Sequence, residues 1–207
     1  MSAEAAARDA ICRLGHSIFV RGLTFGSSGN ISVRLGDFYL MTPTNASLGE
    51  LDPARLSKLS LDGTLLSGDA PTKESFLHRA MYEERGSAEA VVHLHSTHSV
   101  AVSCLADVDP ANVLPPITAY YVMRVGTLPL IPYFKPGDLR LADAVRSLAG
   151  SHHAVLLANH GPVVAGTSLS AASAAIEELE ETARLHLLLH GHRTRFLTEE
   201  QVAELRG

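Results

Sequence analysis

Three pairs of apolar runs in this chain are joined by connections too short for a parallel crossover. Runs 31–34 and 37–41 meet at Gly36-Asp37, runs 58–61 and 64–66 close around Asp62-Gly63, and runs 153–158 and 163–165 flank Asn159-His160-Gly161-Pro162. Asp-Gly between alternating residues is a hairpin signal, and a parallel connection needs about a dozen residues or more. Each pair is therefore expected to be antiparallel. Apolar residues at helical spacing mark 3–21, 71–85, 97–105, 138–148, 168–189 and 198–206, interleaved with these runs. The expected sheet is mixed or largely antiparallel, with helices on both faces. Segment 117–126 reads as mostly extended and 128–133 as a short strand, and Lys135-Pro136-Gly137-Asp138 leads into the 138–148 helix.

One further run, Val91-Val92-His93-Leu94-His95-Ser96, carries two histidines two residues apart. On a strand, residues i and i+2 share a face. His93 and His95 would then point one way, and Val92 and Leu94 the other, toward a core. Two imidazoles leaving one strand together can take adjacent corners of a metal polyhedron, and a catalytic zinc site needs a third protein ligand plus an open position. The third candidate is His160, where another apolar run ends in Asn-His-Gly. An isolated H-x-H is more often two half-buried histidines bonded to backbone. The third histidine at a second strand end puts the metal reading ahead.

Composition excludes several classes. The chain has 207 residues, 46% hydrophobic and 19% charged, which is ordinary globular usage and reads as one domain, 1–207. A net charge of −5 argues against a nucleic-acid partner. No run reaches the roughly 18 apolar residues of a membrane span, and the Ala- and Glu-rich start lacks a signal-peptide core. A soluble cytoplasmic protein with no membrane partner is expected. Cys12 and Cys104 lie far apart in helix-like patterns and read as buried thiols, not as a disulfide framework.

Several polar segments need a reading of their own. The stretch Ser27-Ser28-Gly29-Asn30 could offer N–H and hydroxyl groups to an anion, though by itself it reads as a plain turn. Thr42-Pro43-Thr44-Asn45 is a second loop of that kind. Pro71-Thr72-Lys73-Glu74 opens a helix with Thr72 as a cap and Phe76, Leu77, Ala80 and Met81 as its apolar face. Glu74 falls in the first turn, where the helix dipole favours a carboxylate. It shares a face with His78, and that pair reads as an exposed helix contact. The cluster Glu177, Glu178, Glu180 and Glu181 reads as a solvated face.

Taken in order, S-G-N-x-S-x-R from Ser28, T-P-T from Thr42, P-T-x-E from Pro71, H-x-H-S from His93 and N-H-G from Asn159 resemble the class II aldolase/adducin family over nearly the whole chain. Each motif alone is weak; five in order are specific. The resemblance implies a three-layer α/β/α domain around a mainly antiparallel sheet, and a homotetramer with sites at subunit interfaces. It implies a divalent metal, zinc first and manganese as the alternative, on His93, His95 and His160. Glu74 would be the acid/base carboxylate and would also approach the metal. Ser28, Gly29, Asn30, Thr44, Asn45 and Thr72 would line a phosphate site. Tyr120, or Tyr121 by a one-residue slip, would reach a neighbouring subunit's site as a catalytic group.

Two departures point within the family. Lys73 stands where fuculose-phosphate aldolase carries a small hydroxyl residue, and that aldolase's C-terminal tyrosine has no counterpart after Tyr133. The P-T-K-E element resembles the 3-oxo-tetronate 4-phosphate decarboxylase branch. That branch implies loss of carbon dioxide from a small sugar-acid phosphate through a metal-stabilised enediolate, giving dihydroxyacetone phosphate. Lys73 would pair with the substrate's carboxylate or its phosphate. The second reading is an aldolase or epimerase on a neutral sugar phosphate such as fuculose 1-phosphate. A non-catalytic adducin-like module comes third, because all three histidines and Glu74 are present.

Overall fold

The computed structural model describes residues 2–135 and 137–206; Pro136, inside the predicted lead-in to the fifth helix, lies outside them. Helix α1 is Ala3–Val20, begun where the Ser2 hydroxyl accepts the Ala5 N–H. Strands β1 (Asn30–Leu35), β2 (Phe38–Met41), β3 (Ser57–Ser60) and β4 (Leu65–Ser67) follow, then helix α2 (Ser75–Glu84). Next come β5 (Ala90–His93), α3 (Thr97–Ser103), α4 (Ala119–Arg124), β6 (Leu130–Ile131) and α5 (Arg140–Ala149). The chain closes with β7 (Ala154–Leu157), β8 (Gly161–Gly166), α6 (Leu169–Leu188) and α7 (Glu199–Arg206).

The strands form one sheet in the order β4-β3-β2-β1-β5-β8-β7-β6. The three short connections seen in the sequence are all antiparallel pairs, and among the described residues only β6 with β7 is parallel. Alternation along the strands builds two cores. Tyr39, Met41, Val91, Val155 and Val163 pack with Leu77 and Met81 of α2 and Val145 of α5. Ile31, Leu40, Val92, Leu156 and Val164 pack on the other face with Ile11 and Ile18 of α1, Val102 of α3 and Ile176 of α6. Each such side chain contributes roughly 1.5–3 kcal/mol by leaving water. A strand apolar on both faces is therefore stable only between two helical layers, which is the α/β/α arrangement observed.

Three expectations change. Segment 117–126 is not extended: α4 forms there, because the Thr118 hydroxyl accepts the Tyr121 N–H at 3.1 Å and caps it. Tyr121, Val122 and Val125 are buried while Tyr120 and Met123 are exposed, a helical stripe docked on α6. Docking overrides the strand preference of Tyr-Tyr-Val. The 128–133 strand contracts to Leu130–Ile131. The cysteines are free thiols as expected, but Cys104 is exposed and Cys12 half-buried. No helix among the described residues is long and apolar enough to cross a membrane.

One end of the sheet gathers the sequence motifs. Asn30 at the start of β1 and Val163 near the start of β8 both pair with His93, the last residue of β5. Beside them β7 turns into β8 through His160.

Candidate metal centre and active site

His93 is fully buried, and its Nδ1 lies 2.8 Å from the Pro162 carbonyl oxygen. A carbonyl only accepts, so Nδ1 carries the hydrogen and Nε2 presents its lone pair to the mouth of the sheet. His95 lies two residues past the end of β5, not on its pleat as the pattern predicts. The chain nevertheless brings its Nε2 to 3.1 Å from that of His93. His160 Nε2 lies 3.0 Å from His95 Nε2. The turn that delivers His160 is tight: Asn159 has φ 55° and Gly161 φ 152°. A Cβ on Gly161 would stand 2.3 Å from the Leu94 carbonyl oxygen, so only glycine can follow His160 there.

Glu74 occupies the N-cap of α2 and not its first turn, and its side chain caps no backbone N–H. Its carboxylate turns into the histidine cluster instead. Oε1 lies 3.1 Å from His160 Nε2, Oε2 lies 3.4 Å from His93 Nε2, and Oε2 accepts the Asn30 Nδ2–H at 2.7 Å. The four ligand atoms all lie within 4.8 Å of one another. Donors around a tetrahedral zinc, at 2.0–2.1 Å bonds, stand roughly 3.3 Å apart. Three imidazole nitrogens and one carboxylate at these spacings fit a divalent ion.

The electrostatics suit ligation. Burial pushes the His93 imidazole down to about 4, with Glu74 opposing in part. His95 is lowered by burial and by His160. Burial would raise the Glu74 carboxyl, but His93, His160 and the Asn30 amide outweigh it and hold it well below the usual carboxylate range. Neutral His93 and His95 beside an ionised Glu74 are the protonation states that a metal requires.

Ser28, Gly29, Asn30, Thr44, Asn45, Thr72 and Lys73, all marked by the motifs, line one cavity of ≈ 300 Å³ together with Glu74 and His95. Gly29 and Asn45 both have positive φ, 80° and 58°, so the two loops turn sharply at these residues. Lys73 is exposed at its rim. Asn30 differs from the rest: it is 4% exposed and its amide is engaged inward. A second cavity of ≈ 600 Å³ opens on the other side of His95 and His160, walled by Phe25, Tyr133 and Phe134. Tyr120 is 62% exposed on α4 and lines neither cavity, and the Tyr121 ring is fully buried.

The exposed-contact reading of Glu74 and His78 does not hold. His78 is fully buried. Its Nε2 lies 2.5 Å from Asn30 Oδ1 and its Nδ1 lies 2.7 Å from Ser32 Oγ, which in turn lies 2.8 Å from the Tyr82 hydroxyl. This polar chain was missed in the sequence. Its signal was present: Ser32 is two residues from Asn30 on β1, and Tyr82 and Glu74 each stand four from His78. Glu180, expected in a solvated face, is 7% exposed and accepts the His98 and Ser99 N–H groups that begin α3.

Comparison with known proteins agrees with this architecture. The chain is 50% identical over 205 residues, 99% of its length and 97% of the relative's, to a protein of Escherichia coli K12 named 3-oxo-tetronate 4-phosphate decarboxylase. It is 33% identical over 178 residues, 86% of its length and 92% of the relative's, to one of Methanocaldococcus jannaschii named L-fuculose phosphate aldolase. The crystal structure of YgbL from Escherichia coli superposes with a TM-score of 0.98 at 49% identity, each chain fully covered. Residues 9–187 match the model of the class II aldolase and adducin N-terminal domain, so the chain with this histidine and carboxylate cluster belongs to that family.

Proposed function

We propose that the protein is a metal-dependent lyase that decarboxylates a 3-oxo-tetronate 4-phosphate to dihydroxyacetone phosphate and carbon dioxide. The observation that carries this reading is the contrast in similarity: 50% identity along nearly the full chain to a relative named for that decarboxylation, against 33% to one named for aldol cleavage. Lys73 gives it a physical reason. It lines the same cavity as Thr44, Thr72 and Glu74, and a cation there favours a substrate bearing both a carboxylate and a phosphate.

His93, His95, His160 and Glu74 would hold the metal. Zinc suits this borderline donor set, with manganese as the alternative. A divalent cation there would polarise the 3-oxo group and stabilise the electron pair released when carbon dioxide departs. In the reaction the C1–C2 bond breaks, its electron pair becomes the C2=C3 bond, and the ketone π pair moves onto oxygen. Ser28, Gly29, Thr44, Asn45 and Thr72 would hold the phosphate at C4, fixing C2 and C3 below the cluster. Glu74 would take up a proton from solvent and pass it to C2. Aldol cleavage passes through the same enediolate with an aldehyde in place of carbon dioxide, so the fold alone does not choose.

The working form is read as a cytoplasmic homotetramer with shared sites. The support is Tyr120, exposed on α4 and lining neither cavity beside its own chain's cluster, where it is available to a neighbouring copy. The decisive experiment measures carbon dioxide release from both epimers of 3-oxo-tetronate 4-phosphate beside retro-aldol cleavage of fuculose 1-phosphate. Carbon dioxide from one epimer and no cleavage is the expected result; cleavage alone would make it an aldolase.

A further inference from the structure

We propose that His78, backed by Ser32 and Tyr82, is a positioning residue for Glu74, acting through a buried one-way chain of hydrogen bonds that fixes the Asn30 amide. The argument starts at the carboxylate. Glu74 Oε2 lies 3.4 Å from His93 Nε2 and 2.7 Å from the Asn30 amide nitrogen. A carboxylate among metal-ligating imidazoles only accepts, so Asn30 must present Nδ2–H to it. Its Oδ1 then faces His78 Nε2 at 2.5 Å. Two acceptors cannot meet at that distance, so Nε2 carries a hydrogen. A fully buried imidazole between uncharged partners is neutral, so the other ring nitrogen, Nδ1, has a lone pair and accepts the Ser32 Oγ–H at 2.7 Å. Ser32 has one hydrogen and has used it, so the Tyr82 hydroxyl donates to Ser32 Oγ at 2.8 Å.

Every step is forced by the one before it, and the direction ends on the acid/base carboxylate. Ser32 and His78 are fully buried, Tyr82 is 2% exposed and Asn30 4% exposed, so water does not substitute for any member. The far end is fixed as well: the Tyr82 ring stacks on Tyr39 with centroids 4.8 Å apart. Four polar side chains in a core position are costly unless fully satisfied, and apolar residues would fill this space equally well if packing were the only demand. Reversing the His78 tautomer would turn the Asn30 oxygen toward the Glu74 oxygen and push the carboxylate out of line with C2. Asn30 therefore serves the carboxylate, while the phosphate is left to the loops around it.

This inference rests on Glu74 acting in the proposed decarboxylation, and two of its readouts need no substrate. Nitrogen-15 NMR of the full-length protein, with His78→Gln to identify the signal, is expected to show hydrogen on Nε2 and a lone pair on Nδ1; the opposite tautomer overturns the proposal. Zinc titration of His78→Leu is expected to show affinity lowered by about tenfold, the low end of the effect of removing a ligand's supporting partner, because His78 acts through Asn30. In the same variant kcat for carbon dioxide release should fall to a similar degree with KM nearly unchanged. His78→Gln, which can still offer an N–H to Asn30, should recover most of both. Equal loss in the two variants would mean a merely structural histidine. If His78→Leu does not fold, Ser32→Ala decides: it takes the donor from Nδ1, so kcat should fall at constant KM while hydrogen stays on Nε2, and an unchanged kcat or a switched tautomer overturns the chain. A protein that keeps the tautomer and the zinc effects but releases no carbon dioxide would overturn the assigned reaction and leave this inference standing.

Discussion

Glu74 Oε1 lies 3.1 Å from His160 Nε2, joining the start of α2 to the turn between β7 and β8. The contact crosses from one helical layer to the mouth of the sheet. Neither residue gains its place from its own element: Glu74 forgoes the helix cap, and His160 depends on a left-handed Asn159 and on Gly161.

Metal retention is the first consequence. His95 is the centre of the cluster, with His93 and His160 nitrogens at 3.1 and 3.0 Å. His95→Ala should purify with little metal while keeping its far-UV circular dichroism, because the residue lies outside the strand. Elemental analysis checks this, and full metal content in the variant would rule out the site.

Lys73 should act on binding more than on turnover. A charged group's hydrogen bond is worth roughly 1.5–3 kcal/mol; at this exposed rim the lower end applies, about tenfold in KM. Lys73→Met should raise KM for the acid substrate by that factor with kcat nearly unchanged. Steady-state kinetics on both epimers reads the split.

Acid should destabilise the metal-free protein. Burial pushes His78 down to about 3 and His93 to about 4, from 6.5 in the unfolded chain. Between these values the unfolded state binds protons that the folded state refuses, so stability falls as pH falls through that window. His78, fully buried, contributes about 1.4 kcal/mol per pH unit within it. Glu74, held low, adds its own loss below the ordinary carboxylate range. Urea unfolding in the presence of a chelator should show a drop of about 3 kcal/mol or more from pH 6.5 to pH 4. A flat profile would mean these histidines are protonated in the fold.

Glu180 should matter for folding and not for chemistry. It accepts the His98 N–H at 3.0 Å and the Ser99 N–H at 2.8 Å, and Ser99 Oγ–H at 2.7 Å. Glu180→Gln should cost about 1–3 kcal/mol in urea unfolding, the range for losing buried charge-assisted bonds, and leave kcat unchanged.

The sheet and the histidine cluster were legible because their signals are local. Asp62-Gly63 and the Asn159 to Pro162 turn fix hairpins by chain geometry, while His93 at the strand end and His95 beyond it converge without sharing a pleat. What was not legible depends on partners far along the chain. Tyr120-Tyr121-Val122 has strand-forming side chains, and only the Thr118 cap and the docking on α6 make it a helix. His78 looked like a surface residue because its partners, Asn30 and Ser32, come from β1. Glu180 looked solvated because α3, which it caps, lies on a separate segment. In each case the burial of a polar group is decided by a neighbour that periodicity does not show.

The most direct test is turnover of folded, zinc-loaded Glu74→Gln. The variant keeps the shape and the hydrogen bond from Asn30 but cannot deliver the proton to C2. Carbon dioxide release should fall by roughly 10²–10⁴-fold, the usual worth of a positioned general acid, with the protein still folded. Near-normal release from that protein would contradict the account at its central residue.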